Sequence, residues 1–202
     1  MLQPLIYSDG EILRMERSAL VTEDCVFSNP HECGVLKLEN STFIGNRSAG
    51  CIAVFNLSGA QQSYTVCPDD IRGLKQAEQY WIYDFFSRTA QRVSASDGVV
   101  TGALEPNGYA LLYVFPVLQE VTCVGLTDKY AGFLSVEACS ASGNTISYLI
   151  HEAGSIAWIS EAAPQRVDIN GRNVSRQLQR NGNVFFLPLE KYPEKVFLSI
   201  HL

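Results

Sequence analysis

Asn107-Gly108-Tyr109-Ala110-Leu111-Leu112-Tyr113-Val114-Phe115-Pro116-Val117 is the stretch on which the fold class turns. Asn-Gly is a turn signal, and the run behind it is apolar throughout and rich in aromatic and β-branched types. A short apolar run introduced by a turn reads as a core strand buried on both faces. Cys51-Ile52-Ala53-Val54-Phe55 reads the same way, and Val121–Leu126 follows closely after the first run. Working upstream, Val35–Leu38, Thr42–Ile44 and Ser63–Val66 are further short β runs, the last ending at Pro68. Tyr80–Phe86 sets Trp81, Tyr83 and Phe85 on one face of a strand and Tyr80, Ile82 and Phe86 on the other.

Downstream, Ile146, Tyr148 and Ile150 alternate along the chain. So do Val196, Leu198, Ile200 and Leu202, with Ser199 and His201 facing the other way. Val167–Ile169 runs into Asn170-Gly171, the strongest short hairpin signal, and Gly182-Asn183 marks another turn before Val184–Leu187. No segment keeps an apolar stripe at helical spacing. The nearest, Asp69–Glu78, has too few apolar positions. Short strands at this density predict an all-β fold, an antiparallel β-sandwich spanning residues 34–202, because a parallel sheet would need crossover helices. Residues 1–33 are different. They hold Ser8-Asp9-Gly10, a short Glu11–Met15 stretch and Ser28-Asn29-Pro30 without periodicity, and are expected to form an irregular arm or connector that packs on something larger.

The 202-residue chain is long enough to bury a core without staples. A net charge of −6 with no Lys/Arg run argues against nucleic acid and against an anionic membrane surface as partners. Met1–Ile6 is too short and interrupted for a targeting segment, and Tyr109–Leu118 carries a proline and is too short to span a bilayer. The six cysteines, at 25, 33, 51, 67, 123 and 139, include no CxxC pair and no histidine at zinc spacing. They are expected to be reduced, which suits a cytoplasmic protein. The Asn-x-Ser/Thr triplets at Asn40, Asn46, Asn56 and Asn173 read as chance, since Asn56 ends an apolar strand.

The sequence offers no GxSxG, P-loop, GxGxxG or HExxH, and no catalytic, cofactor-binding or metal-ligating residue is assigned. His31, His151 and His201 lie far apart, His201 on the polar phase of the last strand and His151-Glu152 at a strand end. Asp69-Asp70 behind Pro68 could pass for paired carboxylates, but adjacent residues on a turn point apart, so they read as a turn cap. Thr127-Asp128-Lys129-Tyr130 is expected to form a turn with an internal Asp–Lys contact. Tyr80, Trp81 and Tyr83, with Phe85 and Phe86 beside them, are the binding candidates. Exposed, their ring faces would stack on the sugars of an oligosaccharide; buried, they would fill a core or a domain contact, and Trp158 carries the same two readings.

Two N-terminal stretches carry a resemblance: Tyr7-Ser8-Asp9-Gly10-Glu11-Ile12-Leu13-Arg14, then Ala19-Leu20-Val21-Thr22-Glu23-Asp24-Cys25-Val26-Phe27-Ser28-Asn29-Pro30. They resemble the "DGSILR" and "ALPTRDCLFEDP" segments of the raffinose synthase and seed imbibition protein family. Gly34-Val35-Leu36-Lys37-Leu38-Glu39-Asn40 looks like that family's "LKIWN" strand, Ala53-Val54-Phe55-Asn56-Leu57-Ser58-Gly59 like its "GAFNCQG", and Val124-Gly125-Leu126 like its "IGL". Glu23 and Val21 stand where the family has Arg and Pro. The resemblance implies a catalytic (β/α)8 barrel upstream whose two aspartates retain configuration at an α-galactosyl bond. Neither aspartate has a counterpart here. What it implies for residues 34–202 is a non-catalytic C-terminal β-sandwich that packs against the barrel and stabilises it, with residues 1–33 associated with the barrel. The alternative is a module recognising galactose-containing oligosaccharides through Tyr80, Trp81 and Tyr83.

Overall fold

The computed structural model describes residues 18–26, 29, 34–44, 47–189 and 195–202, the side chain of Cys139 excepted. His31, Cys33, Asn46 and the Tyr7–Arg14 stretch lie outside the described residues. The described residues divide into two units, the first built on residues 18–42 and Ser48–Leu118, the second on residues 43–44, Arg47 and Gln119–Leu202.

In the first unit, β1 (Leu20–Val21) leads through a single helical turn, α1 (Glu23–Val26), to β2 (Val35–Ile44) and β3 (Arg47–Asn56). β4 (Gln62–Val66), β5 (Gln79–Asp84), β6 (Thr89–Ser94), β7 (Val100–Leu104) and β8 (Tyr109–Pro116) follow. The strands form a six-stranded sheet in the order β1-β2-β3-β8-β5-β6 and a two-stranded ribbon, β4-β7. Strand alternation aims Ile52, Val54, Ile82, Leu112 and Val114 of the sheet at Val66 and Val100 of the ribbon, in one apolar cluster. Full burial of each such side chain contributes about 1.5–3 kcal/mol before entropy is counted. Asn107, at φ 59°, takes the left-handed conformation that the turn into β8 requires.

The second unit contains β9 (Val121–Leu126), β10 (Val136–Ser142), β11 (Thr145–Ile150), β12 (Ser155–Ser160), β13 (Arg166–Ile169), β14 (Arg172–Asn173), β15 (Gln179–Asn181), β16 (Val184–Pro188) and β17 (Val196–His201). One sheet runs β10-β11-β17-β13-β14, the other β15-β16-β12-β9. The expected Asn170-Gly171 hairpin joins β13 to β14 with both central φ angles positive, 49° and 76°, the signature of a type I′ turn. Trp158 is fully buried, its ring stacked 5.9 Å from that of its cross-strand partner Phe185. Polar groups tie the two sheets together. The Tyr148 hydroxyl on β11 donates to Val121 O on β9, and the Arg47 guanidinium donates to Val136 O at 2.7 Å, Cys123 O at 2.6 Å and Phe133 O at 3.4 Å.

The architecture is the expected all-β antiparallel sandwich, with differences in detail. Val35–Leu38 and Thr42–Ile44, read as two runs, are one strand, β2. Its polar middle stays in the sheet because Glu39 meets Arg72 Nε at 3.2 Å and the Ser41 hydroxyl donates to Arg72 O at 2.6 Å. Residues 20–21, read as part of an irregular arm, pair with Glu39 and Leu38 of β2. β6 and β7 escaped the sequence reading because each is an edge strand that buries only one or two residues.

Candidate functional site

The β5 alternation holds as read from sequence, but it carries the aromatic rings inward. Tyr80, Trp81 and Tyr83 are 5%, 4% and 0% exposed. The Tyr80 hydroxyl accepts from Ala77 N and donates to Lys75 O, while the Tyr83 ring stacks 6.2 Å from Tyr113. Burial, above all, makes the Tyr83 phenol much harder to ionise than usual. Stacking on a sugar needs an open ring face, so of the two readings the structure gives these residues the packing one. Trp158 goes the same way. The exposed members of this aromatic region are Phe86 at 45% and Tyr109 at 57%, their rings 5.3 Å apart and nearly perpendicular. Phe86 is turned outward by a tight turn in which the Asp84 carboxylate accepts from the N–H groups of Phe86 and Ser87.

A second constellation was not read from the sequence. Lys37 points into the interior of the first unit, where its ammonium meets Asp24 Oδ2 at 2.7 Å, Asp70 Oδ1 at 3.0 Å and Thr65 O at 3.2 Å. Burial works against the charge on Lys37, yet Asp24 and Asp70 hold its proton more tightly than an ordinary lysine does. Burial likewise opposes ionisation of Asp24, but hydrogen bonds from Lys37 and Thr22 keep its carboxyl below the usual range. The geometry follows from Thr22, whose carbonyl accepts from Cys25 N and Val26 N while its hydroxyl donates to Asp24. That turn presents Asp24 to β2. Asp70 serves both readings at once: its Oδ2 accepts from Cys67 N, as a turn cap does, and its Oδ1 faces Lys37. Asn56 makes a comparable pin, its amide nitrogen lying 2.9 Å from the carbonyls of Ala60, Leu104 and Glu105. A side chain so occupied has no room for a glycan.

In the second unit, His201 lies between the Thr145 hydroxyl, 2.9 Å from Nδ1, and Asp168 Oδ2, 2.9 Å from Nε2, with Arg166 Nε on the other carboxylate oxygen at 2.8 Å. Burial opposes ionisation of Asp168, but Arg166 and His201 hold its carboxyl below the usual range. The row is a product of register: Thr145 and Arg166 are the cross-strand partners of His201, and Ser147 and Ser199 meet at 3.1 Å one row along. Thr, His and Asp in this order form a chain able to pass a proton, laid on a half-open sheet face whose opposite side is core. Lys129 pairs with Glu152 at 3.3 Å, and Asp128 accepts from Ser155 N at 3.0 Å. The internal Asp128–Lys129 contact expected from sequence is therefore replaced by two contacts to the His151–Ser155 segment, and His151 faces Glu137 at 3.1 Å. Four cysteines, Cys25, Cys51, Cys67 and Cys123, are free thiols.

The family model for "Raffinose synthase or seed imbibition protein Sip1" matches residues 1–72. This stretch takes in Asp24, Lys37, Asn56 and Asp70. A galactinol–sucrose galactosyltransferase from Oryza sativa subsp. japonica is 28% identical over 207 residues, covering 86% of this chain and 26% of its own length. A stachyose synthase from Pisum sativum is 22% identical, covering 91% of this chain and 25% of its own length. The chain thus spans about a quarter of the length of the curated relatives it matches. Among solved structures, α-galactosidase I from Mortierella vinacea aligns over 48% of this chain and 23% of its own at 12% identity, with a TM-score of 0.36, too low to carry an argument. On the sequence matches, the chain is similar to the C-terminal region of raffinose synthase and seed imbibition proteins.

Proposed function

We propose that this chain is an accessory β domain of a longer galactosyl-handling enzyme, packing against its catalytic barrel and stabilising it. One observation carries the reading: similarity runs along 86–91% of this chain yet takes in only about a quarter of each relative. The relatives are named as a galactosyltransferase and a stachyose synthase, which supports galactosyl transfer or hydrolysis on the barrel as the whole protein's chemistry. The exposed Phe86–Tyr109 pair supplies apolar surface of the kind that a neighbouring domain covers. The free thiols of Cys25, Cys51, Cys67 and Cys123 suit a reducing, cytoplasmic setting.

The test is to express the coding region upstream of residue 1 with and without residues 1–202. The barrel with this chain is expected to transfer galactose from galactinol and to survive heating longer than the barrel alone, while the chain alone turns over nothing. Turnover by the isolated chain, or a barrel equally heat-resistant without it, overturns the proposal.

A further inference from the structure

The first unit contains a crevice that none of the constellations above uses. The six-stranded sheet ends at β6 and the ribbon ends at β7, each paired on one side only, and a cavity of about 250 Å³ lies among residues of these strands and their neighbours. Its floor is apolar, made by Ile82, Val100 and Leu112, while Thr89 and Gln91 stand at the exposed rim. Register puts them there: Gln91 is the cross-strand partner of Ile82, and Thr89 that of Asp84, so each pair shares a face.

Tyr64 forms one wall. Its ring occupies the space that a side chain at position 102 would fill, since a Cβ on Gly102 would lie 2.4 Å from Tyr64 Cζ. The residue is only 9% exposed, yet its hydroxyl has no hydrogen-bond partner among the described residues. The hydroxyl is open to the crevice and can donate to whatever occupies it. Across the crevice, Asp84 uses Oδ1 on the turn N–H groups, and no described bond occupies Oδ2 or the Gln91 amide. Burial first, and then the charge of Asp84, makes the Tyr64 proton harder to remove than usual, so the hydroxyl is a standing donor.

A phenolic donor, a carboxylate acceptor and an amide offering both, over a small aliphatic base, describe the complement of a sugar's hydroxyls. Its C–H face would rest on the floor, and its hydroxyls would bridge Tyr64, Asp84 and Gln91. The volume corresponds to about eight waters of liquid, which sets the ligand at roughly one ring rather than a chain. We infer that this crevice binds a neutral polyhydroxylated ring of monosaccharide size. The inference is independent of the barrel-packing reading, since it concerns a site within the first unit.

The experiment is a titration of the isotope-labelled 202-residue chain with D-galactose, D-glucose and myo-inositol at millimolar concentrations, followed by amide chemical shifts. Saturable changes centred on Tyr64, Asp84, Gln91 and Gly102 are expected with at least one of the three. Tyr64→Phe keeps the ring and is expected to weaken binding about tenfold, the loss of one hydrogen bond. Gly102→Val is expected to abolish binding by displacing the ring; since that change strains the ribbon, Tyr64→Phe is the deciding variant. No saturable shift with any of the three compounds, saturation mapping elsewhere, or unchanged affinity in Tyr64→Phe overturns the inference.

Discussion

The first unit takes Lys37, Glu39, Asn40, Ser41 and Thr42 of a single strand into its interior, whereas the second keeps Thr145, Ser147, Ser199 and His201 on one half-open face and buries the alternate residues of the same strands. Each buried polar group in the first unit needs a particular partner at a particular distance, such as Asp24 and Asp70 for Lys37 or Arg72 for Glu39. The outward row in the second unit is half-open and held by cross-strand neighbours, and its core is mostly alternating apolar side chains with Arg47 and Tyr148 as its polar pins. One region is specified by pairing, the other by alternation. The match to the family model, residues 1–72, falls where the pairing is densest.

Each unit has one tryptophan, Trp81 in the first and Trp158 in the second, so fluorescence of single-tryptophan proteins can follow them separately. Trp158→Ala, watched by circular dichroism in denaturant with Trp81 fluorescence following the first unit alone, is expected to cost the second unit about 4 kcal/mol, the effect of emptying a fully buried aromatic site. Next comes Lys37→Met, expected to cost roughly 3 kcal/mol although the side chain is of similar length and more apolar, because the largely covered Asp70 loses the cation it faces. A Lys37→Met protein as stable as the original in urea would erase the distinction between the two regions. Asn56→Ala is expected to cost about 2 kcal/mol through the carbonyls it leaves unpaired, measured the same way. At the small end, His201→Gln on the open row is expected to change stability by about 0.5 kcal/mol. A loss as large as that at Lys37 would show that the second unit also depends on pairing.

Acid sharpens the contrast further. The Asp24 carboxyl lies below its ordinary 3.8, so its contribution is complete above that value and is lost as the pH falls through the lower folded value. Lys37 lies above its ordinary 10.5, so its contribution is complete below that value and is lost as the pH rises through the higher folded value. Trp81 fluorescence in a Trp158→Phe background should therefore report destabilisation at both extremes. In Lys37→Met the alkaline loss should vanish and the acid one shrink. A pH profile unaltered by that substitution would count against the ion pairs as the source.

What the sequence made legible follows the same division. Alternation in Ile146–Ile150 and Val196–Ile200, and the turn chemistry of Asn170-Gly171, located β11, β17 and the β13–β14 hairpin almost to the residue. The parity of Tyr80–Phe86 was right as well, but parity states which residues share a face and is silent on what covers that face, so burial of Trp81 and Tyr83 was out of reach. Lys37 was invisible for a related reason. A lysine between Leu36 and Leu38 reads as the polar phase of an ordinary strand, and its partners lie 13 residues before and 33 after it in the chain. The crevice was hidden because it depends on Gly102 standing opposite Tyr64, a register fact with no local signature.

Arg47 has a consequence for how such a segment can be inherited. It enters the chain ahead of most of the first unit, yet its guanidinium is committed to Cys123, Phe133 and Val136, which come after that unit is complete. A gene break at residue 118 would leave three carbonyls of the downstream piece without their donor. A duplicated or shuffled copy of the second unit would therefore have to carry Arg47 with it, although that residue lies far upstream in the chain.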